Sequence, residues 1–227
     1  MIVSETILGL DTTLMAMSAA VTRGGDVLSN QTIPDIRDQA ERLPGLITTI
    51  ITQAGVTLSD IDRIAVTIGP GGFSGLRVGL SHARGMAAVL GCPVIGIGTL
   101  EALAASALNA ENDRPVIAAI DARRGEIYVQ AFEKGLVPLS APQALSPYEA
   151  AQAYGSLGAR IVGTGRKLLL DAMHPEHACI DGEQDYPNAA DIAQSALGRS
   201  EDEAPLNPLY IRPPDAKLPS SAPIVHS

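Results

Sequence analysis

Tryptophan is absent from the 227 residues and phenylalanine occurs only twice, so aromatics make up 3% of the chain. The core must therefore be assembled from Val, Ile, Leu and Ala, within an apolar content of 46% that is ordinary for a globular protein. Two cysteines, Cys92 and Cys179, are too few for a disulfide framework. No apolar run approaches the roughly 18 residues of a membrane helix, because Gly, Pro and charges interrupt every candidate. The opening Met-Ile-Val-Ser-Glu has neither the basic start nor the apolar stretch of a signal peptide. The expectation is a cytoplasmic protein with both thiols reduced. Cations are scarce too: 16 Lys and Arg face 25 Asp and Glu, a net charge of −9. Phosphate neutralisation supplies most nucleic-acid affinity, and no basic run is present, so tight unaided nucleic-acid binding is not expected.

Histidines are equally sparse. His174-Pro175-Glu176-His177, with Cys179 beyond, is the one cluster of metal-ligand residue types. Zinc wants three or four ligands in fixed geometry, Pro175 prevents a helical placement, and no second ligand pair is evident. An exposed loop without metal is expected there. His82 lies on a helix flank and His226 near the chain end, so no histidine has an acid–base setting.

At this length the chain suits one large domain or two small lobes. Apolar patterning predicts strands at 6–10, 17–22 and 26–32, a helix at 38–54, a strand at 61–68, a helix at 75–90, a strand at 93–97 and a helix at 99–108. A hairpin at 116–121 and 126–132 follows, then helices at 147–154, 165–173 and 189–197 with a strand at 160–163. Six prolines from Pro205 to Pro223 exclude continuous regular structure near the end. Three strands, then helix, strand, helix, strand, helix is the order of an actin-like lobe. The motif restarts near residue 116, which gives an N-terminal lobe at 1–110, a smaller degenerate lobe at 111–215 and a disordered tail at 216–227.

Three places could carry chemistry. Asp11-Thr12-Thr13 ends the first strand, where the carboxylate could hold a hydrated cation and the hydroxyls could reach a phosphate; an ordinary turn explains them as well. Gly69-Pro70-Gly71-Gly72-Phe73-Ser74-Gly75 joins a strand to a helix and is either an anion-binding nest, with Gly71 and Gly72 at its centre, or a tight structural turn. It lacks the Lys-Ser/Thr ending of a P-loop. Asp121-Ala122-Arg123-Arg124-Gly125 would crowd a phosphate loop, although Arg123 and Arg124 could bind an anion by side chain. Along 75–90, Leu76, Leu80, Ala83, Ala87 and Leu90 form one apolar face, while Val78, Ser81, Gly85, Ala88 and Val89 form a small, uncharged one. A helix apolar or small nearly all round is covered on both sides, by an internal sheet or by another subunit. The small residues favour another subunit.

At these residues the chain resembles the TsaB (YeaZ) family. Leu8-Gly9-Leu10-Asp11-Thr12-Thr13 is similar to its strand–Asp-Thr-Ser start. Gly69 through Gly79 matches its Gly-Pro-Gly-Ser-Phe-Thr-Gly-Leu/Val-Arg-Ile-Gly signature, with Gly72 for Ser, Ser74 for Thr and Val78 for Ile. Asp121 to Tyr128 matches its Asp-Ala-Arg-Arg-x-Glu-Val-Tyr hairpin, and Pro208 to Arg212 its late Pro-x-Tyr-x-Arg element. The resemblance implies an α/β, two-lobed actin/Hsp70-like (ASKHA) fold with mixed sheets flanked by helices. It also implies a non-catalytic subunit related to the enzyme TsaD, whose first-lobe helix carries a metal-binding His-x-x-x-His; the matching 38–43 here has no histidine. TsaD transfers threonylcarbamoyl to adenosine 37 of tRNAs reading codons that begin with A. The implied partners are a TsaD-type subunit, a TsaE-type ATPase and a second copy of the chain, with tRNA reached only through the complex and no membrane contact. The implied contacts are Leu43, Ile47, Ile50, Arg77, Val78, Ser81, His82, Gly85 and Val89. Asp11, Thr12, Thr13, Gly71, Gly72, Arg123 and Arg124 would be a vestigial nucleotide or anion site. No cofactor is expected on the chain alone, with ATP or ADP only in the complex. An actin-fold ATPase or small-molecule kinase is the competing reading.

Overall fold

The computed structural model describes residues 4–108, 114–174, 176–177 and 179–212. The chain opens with a meander of β1 (Thr6–Asp11), β2 (Ala16–Arg23) and β3 (Asp26–Pro34), each antiparallel to the next. β1 is buried throughout and β2 nearly so, which is why both read as continuous apolar runs rather than alternating ones. There follow α1 (Gln39–Gln53), β4 (Arg63–Thr67), α2 (Phe73–Leu90), β5 (Val94–Ile97) and α3 (Thr99–Ala107). β4 and β5 add in parallel beside β1, giving the sheet order β3-β2-β1-β4-β5.

The remainder repeats this plan. It comprises β6 (Val116–Arg123), β7 (Glu126–Glu133), β8 (Val137–Pro138), β9 (Gln143–Leu145), α4 (Pro147–Tyr154), β10 (Arg160–Val162), α5 (Arg166–Ala172), β11 (Ile180–Asp181) and α6 (Ala189–Ser195). The second sheet runs β8-β7-β6-β10-β11, with antiparallel pairs first and parallel pairs after, as in the first. Its third strand is broken, since β9 also pairs with β7. Two copies of one topology, each a mixed sheet flanked by helices, make the actin/Hsp70-like architecture.

Burial explains the layering. α1 and α2 cover the outer face of the first sheet, where Leu43, Ile50, Leu76 and Leu80 meet Leu8, Leu10, Met17 and Val66. α4 and α5 do the same for the second sheet through Ala150, Tyr154 and Leu169. The inner faces exchange helices. α3, from the first repeat, buries Leu100, Leu103 and Ala104 against Val116, Ala118 and Phe132 of the second sheet. α6, from the second repeat, buries Ile192, Ala193 and Ala196 against Ile7, Ala65 and Ile95 of the first. The lobes therefore share two cores.

The expected elements coincide with the observed ones to within a few residues. β8, β9 and β11 were not anticipated, being two or three residues long and too short to show a period. Assigning 111–215 to a second lobe needs correcting in one respect: α6 and Ala204 pack on the first sheet. The expected boundary between 110 and 111 and the expected tail at 216–227 lie outside the described residues.

The α6 contact is tight. A Cβ on Gly9 of β1 would sit 2.1 Å from the Ala189 carbonyl oxygen, whereas Gly45 on α1 faces open space. Gly9→Ala must push α6 away and is expected to cost about 2–3 kcal/mol in urea unfolding. Gly45→Ala should instead stabilise by up to about 1 kcal/mol through helix propensity.

Candidate functional site

Asp11 closes β1 in a polar pocket of threonines. Its Oδ1 accepts hydrogen bonds from the Thr13 amide at 3.1 Å, the Thr13 hydroxyl at 2.6 Å and the Thr67 hydroxyl at 2.6 Å. Its Oδ2 is buried without a partner. Burial pushes the Asp11 pKa up, against the opposing pull of the Thr13 and Thr67 hydrogen bonds.

The glycine loop lies directly on this pocket. Thr12 Oγ1 donates to the Gly75 carbonyl at 2.7 Å, and the Gly72 amide donates to the Thr13 carbonyl at 2.7 Å. A Cβ on Gly71 would stand 2.5 Å from the Thr13 oxygen, and one on Gly75 2.0 Å from the Thr12 oxygen. On Gly79 it would stand 2.6 Å from Thr12 Oγ1. These glycines permit backbone contact, and the Gly72 amide of the expected nest is already used. Asp11, Thr12 and Thr13 are at most 1% exposed. Asp11 itself is sealed under the start of α2, while Thr13, Gly71 and Gly72 of the possible vestigial site border the space above it.

Above the seal lies a cleft of about 630 Å³ between the lobes. Thr13, Gly71 and Gly72 line one side, and Asp121, Arg123, Tyr128 and Thr164 the other. The β6–β7 turn carries three successive left-handed residues, Arg123, Arg124 and Gly125, at φ 63°, 57° and 81°. Asp121 holds this turn: Oδ1 accepts the Arg123 amide at 2.8 Å and Oδ2 pairs with its guanidinium at 3.1 Å. Arg123 is thus paired within its own loop while its side chain stays largely exposed. Arg37 and Asp35 at the rim add one charge of each sign. Gly163-Thr164-Gly165 has a packing role on the second-lobe side. The Thr164 hydroxyl accepts from the Asp121 amide at 3.1 Å, and a Cβ on Gly163 would reach 2.2 Å from the Ala119 oxygen. Among the described residues no three His, Cys, Asp or Glu side chains converge as metal ligands, and no helix is long and apolar enough to cross a membrane.

The outer helices offer a different kind of surface. Leu43, Ile47 and Ile50, expected as partner contacts, are 0%, 5% and 0% exposed and belong to the chain's own core. The apolar stripe of α1 faces the first sheet, so these three are not available to a partner. Its other face exposes Pro44, Gly45, Thr48, Thr49 and Thr52. The three hydroxyls donate to the carbonyls of Pro44, Gly45 and Thr48 at 2.8–2.9 Å, which ties up the polar atom and leaves a methyl-bearing surface. On α2, Ser81, Gly85 and Val89 are exposed, Val89 to 86%, and nothing approaches the Gly85 Cα face within 4 Å. Val78 is half-buried against the core, and the half-buried His82 places Nδ1 3.0 Å from the Val78 carbonyl. Arg77 lies over the Phe73 ring at 3.7 Å. The three α1 threonines and Phe73 were missed by sequence reasoning; the i, i+4 spacing of Thr48 and Thr52 was the available signal.

The buried carboxylate yields a test. Its raised pKa means that the folded state carries a cost when Asp11 is ionised, relieved as pH falls through the folded value toward the ordinary carboxylate value. Asp11→Asn keeps an oxygen for the three donors and removes the charge. It should raise the melting temperature at pH 8, with the gain shrinking as pH falls. Asp11→Ala orphans buried donors and should cost on the order of 3 kcal/mol. A gain for Asn that grows on acidification would contradict this account.

Comparison with known proteins fits the topology. The family described as TsaD, tRNA N6-adenosine threonylcarbamoyltransferase, matches residues 26–146. An uncharacterized protein of Mycobacterium bovis is 31% identical over 219 residues, covering 94% of both chains. The Escherichia coli tRNA threonylcarbamoyladenosine biosynthesis protein TsaB is 35% identical over 128 residues, or 56% of this chain and 55% of that one. The structure of YeaZ from Pseudomonas aeruginosa superposes with a TM-score of 0.78 at 28% identity, covering 91% of this chain and 99% of that one. With the duplicated topology, the glycine loop and the Asp121 hairpin in place, the chain belongs to the TsaB (YeaZ) family.

Proposed function

We propose that the chain is a non-catalytic subunit in threonylcarbamoylation of tRNA adenosine 37, and that it works by docking a TsaD-type catalytic subunit on the outer face of α1 and α2. The observation that carries this reading is that face itself. Pro44, Gly45, Thr48 and Thr49 on one helix and Ser81, Gly85 and Val89 on the other expose small, uncharged side chains. Small residues let a partner helix approach closely, and the back-bonded threonines cost little to desolvate. The same face would serve a second copy when the chain is alone.

Lack of catalysis is supported by the cleft. The Asp11 carboxylate is covered by the glycine loop and engaged by the Thr13 and Thr67 hydroxyls, and among the described residues no three His, Cys, Asp or Glu side chains converge as metal ligands. A TsaE-type ATPase completes the assembly, with ATP or ADP bound only there. Net charge −9 favours tRNA contact through the partner rather than by this chain.

Two experiments test the proposal. Ser81→Glu or Gly85→Glu places a charge on the docking face and should weaken association with the TsaD-type subunit by about 2–5 kcal/mol. Circular dichroism should be unchanged, because both positions are exposed. Normal binding by folded variants would exclude this surface. In reconstitution, the chain alone should transfer no threonylcarbamoyl to tRNA and should be required when the TsaD-type subunit is present. Activity from the chain by itself would overturn the non-catalytic reading.

A further inference from the structure

The late Pro208-to-Arg212 element has no role in the docking face or the cleft chemistry, yet its contacts reach both lobes. Residues 204–209 bind the first lobe by backbone. The Gly96 amide donates to the Ala204 carbonyl at 2.9 Å, and the Leu209 amide to the Ile68 carbonyl at 2.7 Å. Contact is close enough that a Cβ on Gly69 would stand 2.7 Å from the Leu209 oxygen. Arg84 of α2 donates to the Leu206 carbonyl at 2.8 Å. The Tyr210 ring then lies 5.7 Å from Phe73, which also meets the Arg77 guanidinium. Two residues later Arg212 has crossed to the second lobe. It donates to the Ala122 carbonyl at 3.3 Å, pairs with Glu126 and lies 5.9 Å from the Tyr128 ring centre.

We propose that residues 204–212 form a strap that couples the position of α2 to the second-lobe hairpin 121–128. The path is short and continuous: Arg77 and Phe73 on α2, Tyr210 and Arg212 on the strap, Ala122 and Glu126 on the hairpin. Both α2 arginines on the flank of the docking face hold it, Arg84 directly and Arg77 through Phe73. The hairpin is suited to respond, because its turn has three left-handed residues in succession, two of them arginines. A partner that engages Arg77 or Arg84 would alter the grip on the strap, and with it the wall of the cleft at Arg123 and Tyr128. That last step rests on reading α2 as the docking helix; the strap itself does not.

Hydrogen–deuterium exchange on the full chain separates the two. Phe73 is 48% exposed, so Phe73→Ala should leave the fold intact. It should nevertheless speed exchange in 121–128 several-fold, as Arg212→Ala does, while α4 and α5 keep wild-type rates. Phe73→Tyr, which keeps the ring, should behave as wild type. If Arg212→Ala loosens the hairpin and Phe73→Ala does not, the strap is a local tie and the coupling is wrong. Acceleration throughout the chain would equally overturn it. With the TsaD-type subunit added, protection of α2 reports docking, and a change at 121–128 that vanishes in Phe73→Ala reports the coupling. Protected α2 with an unmoved hairpin sinks the strap and leaves docking standing. Unprotected α2 sinks docking, and the free-chain comparison still decides the strap.

Discussion

Where β1 ends, the carbonyls of Thr12 and Thr13 face Gly71 and Gly75 with no room for a methyl group between them. That contact decides where α2 begins and how it is rotated about its axis. Once Gly75 and Gly79 face the Thr12 loop, Leu76, Leu80 and Ala83 are turned into the core and Ser81, Gly85 and Val89 are turned out. The same approach buries Asp11 and takes up the Gly72 amide. A closed first loop and an open outer face are thus two results of one packing decision.

The duplication extends to this detail. Asp11 and Asp121 each stand near the end of the first strand of a repeat, and each is met by a glycine-bearing turn at the second helix, Gly71 to Gly75 in one case and Gly163 to Gly165 in the other. In the first repeat a threonine hydroxyl binds the glycine-turn backbone; in the second, the Thr164 hydroxyl of the turn binds the strand. The repeats differ in what surrounds the carboxylate. Asp11 has three threonine donors and no cation, so burial raises its pKa, whereas Asp121 holds Arg123 at the cleft edge.

Element order, and with it the lobe topology, was legible because long apolar runs and clear helical stripes carry their own period. The destination of an apolar stripe was not. Leu43, Ile47 and Ile50 announce a buried face, but periodicity does not say whether the cover is the chain's own sheet or another protein. The exposed face of α2 was legible, since Ser81 and Gly85 stand out as small on a helix whose other side is already apolar. Glycine content left the 69–75 loop open between an anion nest and close packing, because both need a missing Cβ; only the distance to Thr12 and Thr13 separates them. Over the described residues 205–212 the chain has no helix or strand, as the prolines there led one to expect, and order comes from contacts with Ile68, Phe73 and Ala122, distant in sequence.

The exchange of α3 and α6 also bears on how the protein is made. The first sheet is specified by residue 97, yet its inner face is covered by Ile192, Ala193 and Ala196. A chain leaving the ribosome at about 5–20 residues per second would carry that face uncovered for several seconds while the second repeat is synthesised. Ile7, Ala65, Ile95 and Ile97 remain exposed to chaperones or to neighbouring nascent chains through that interval. Maturation of the first lobe therefore waits on synthesis of the second repeat, although its own strands precede that repeat in the chain.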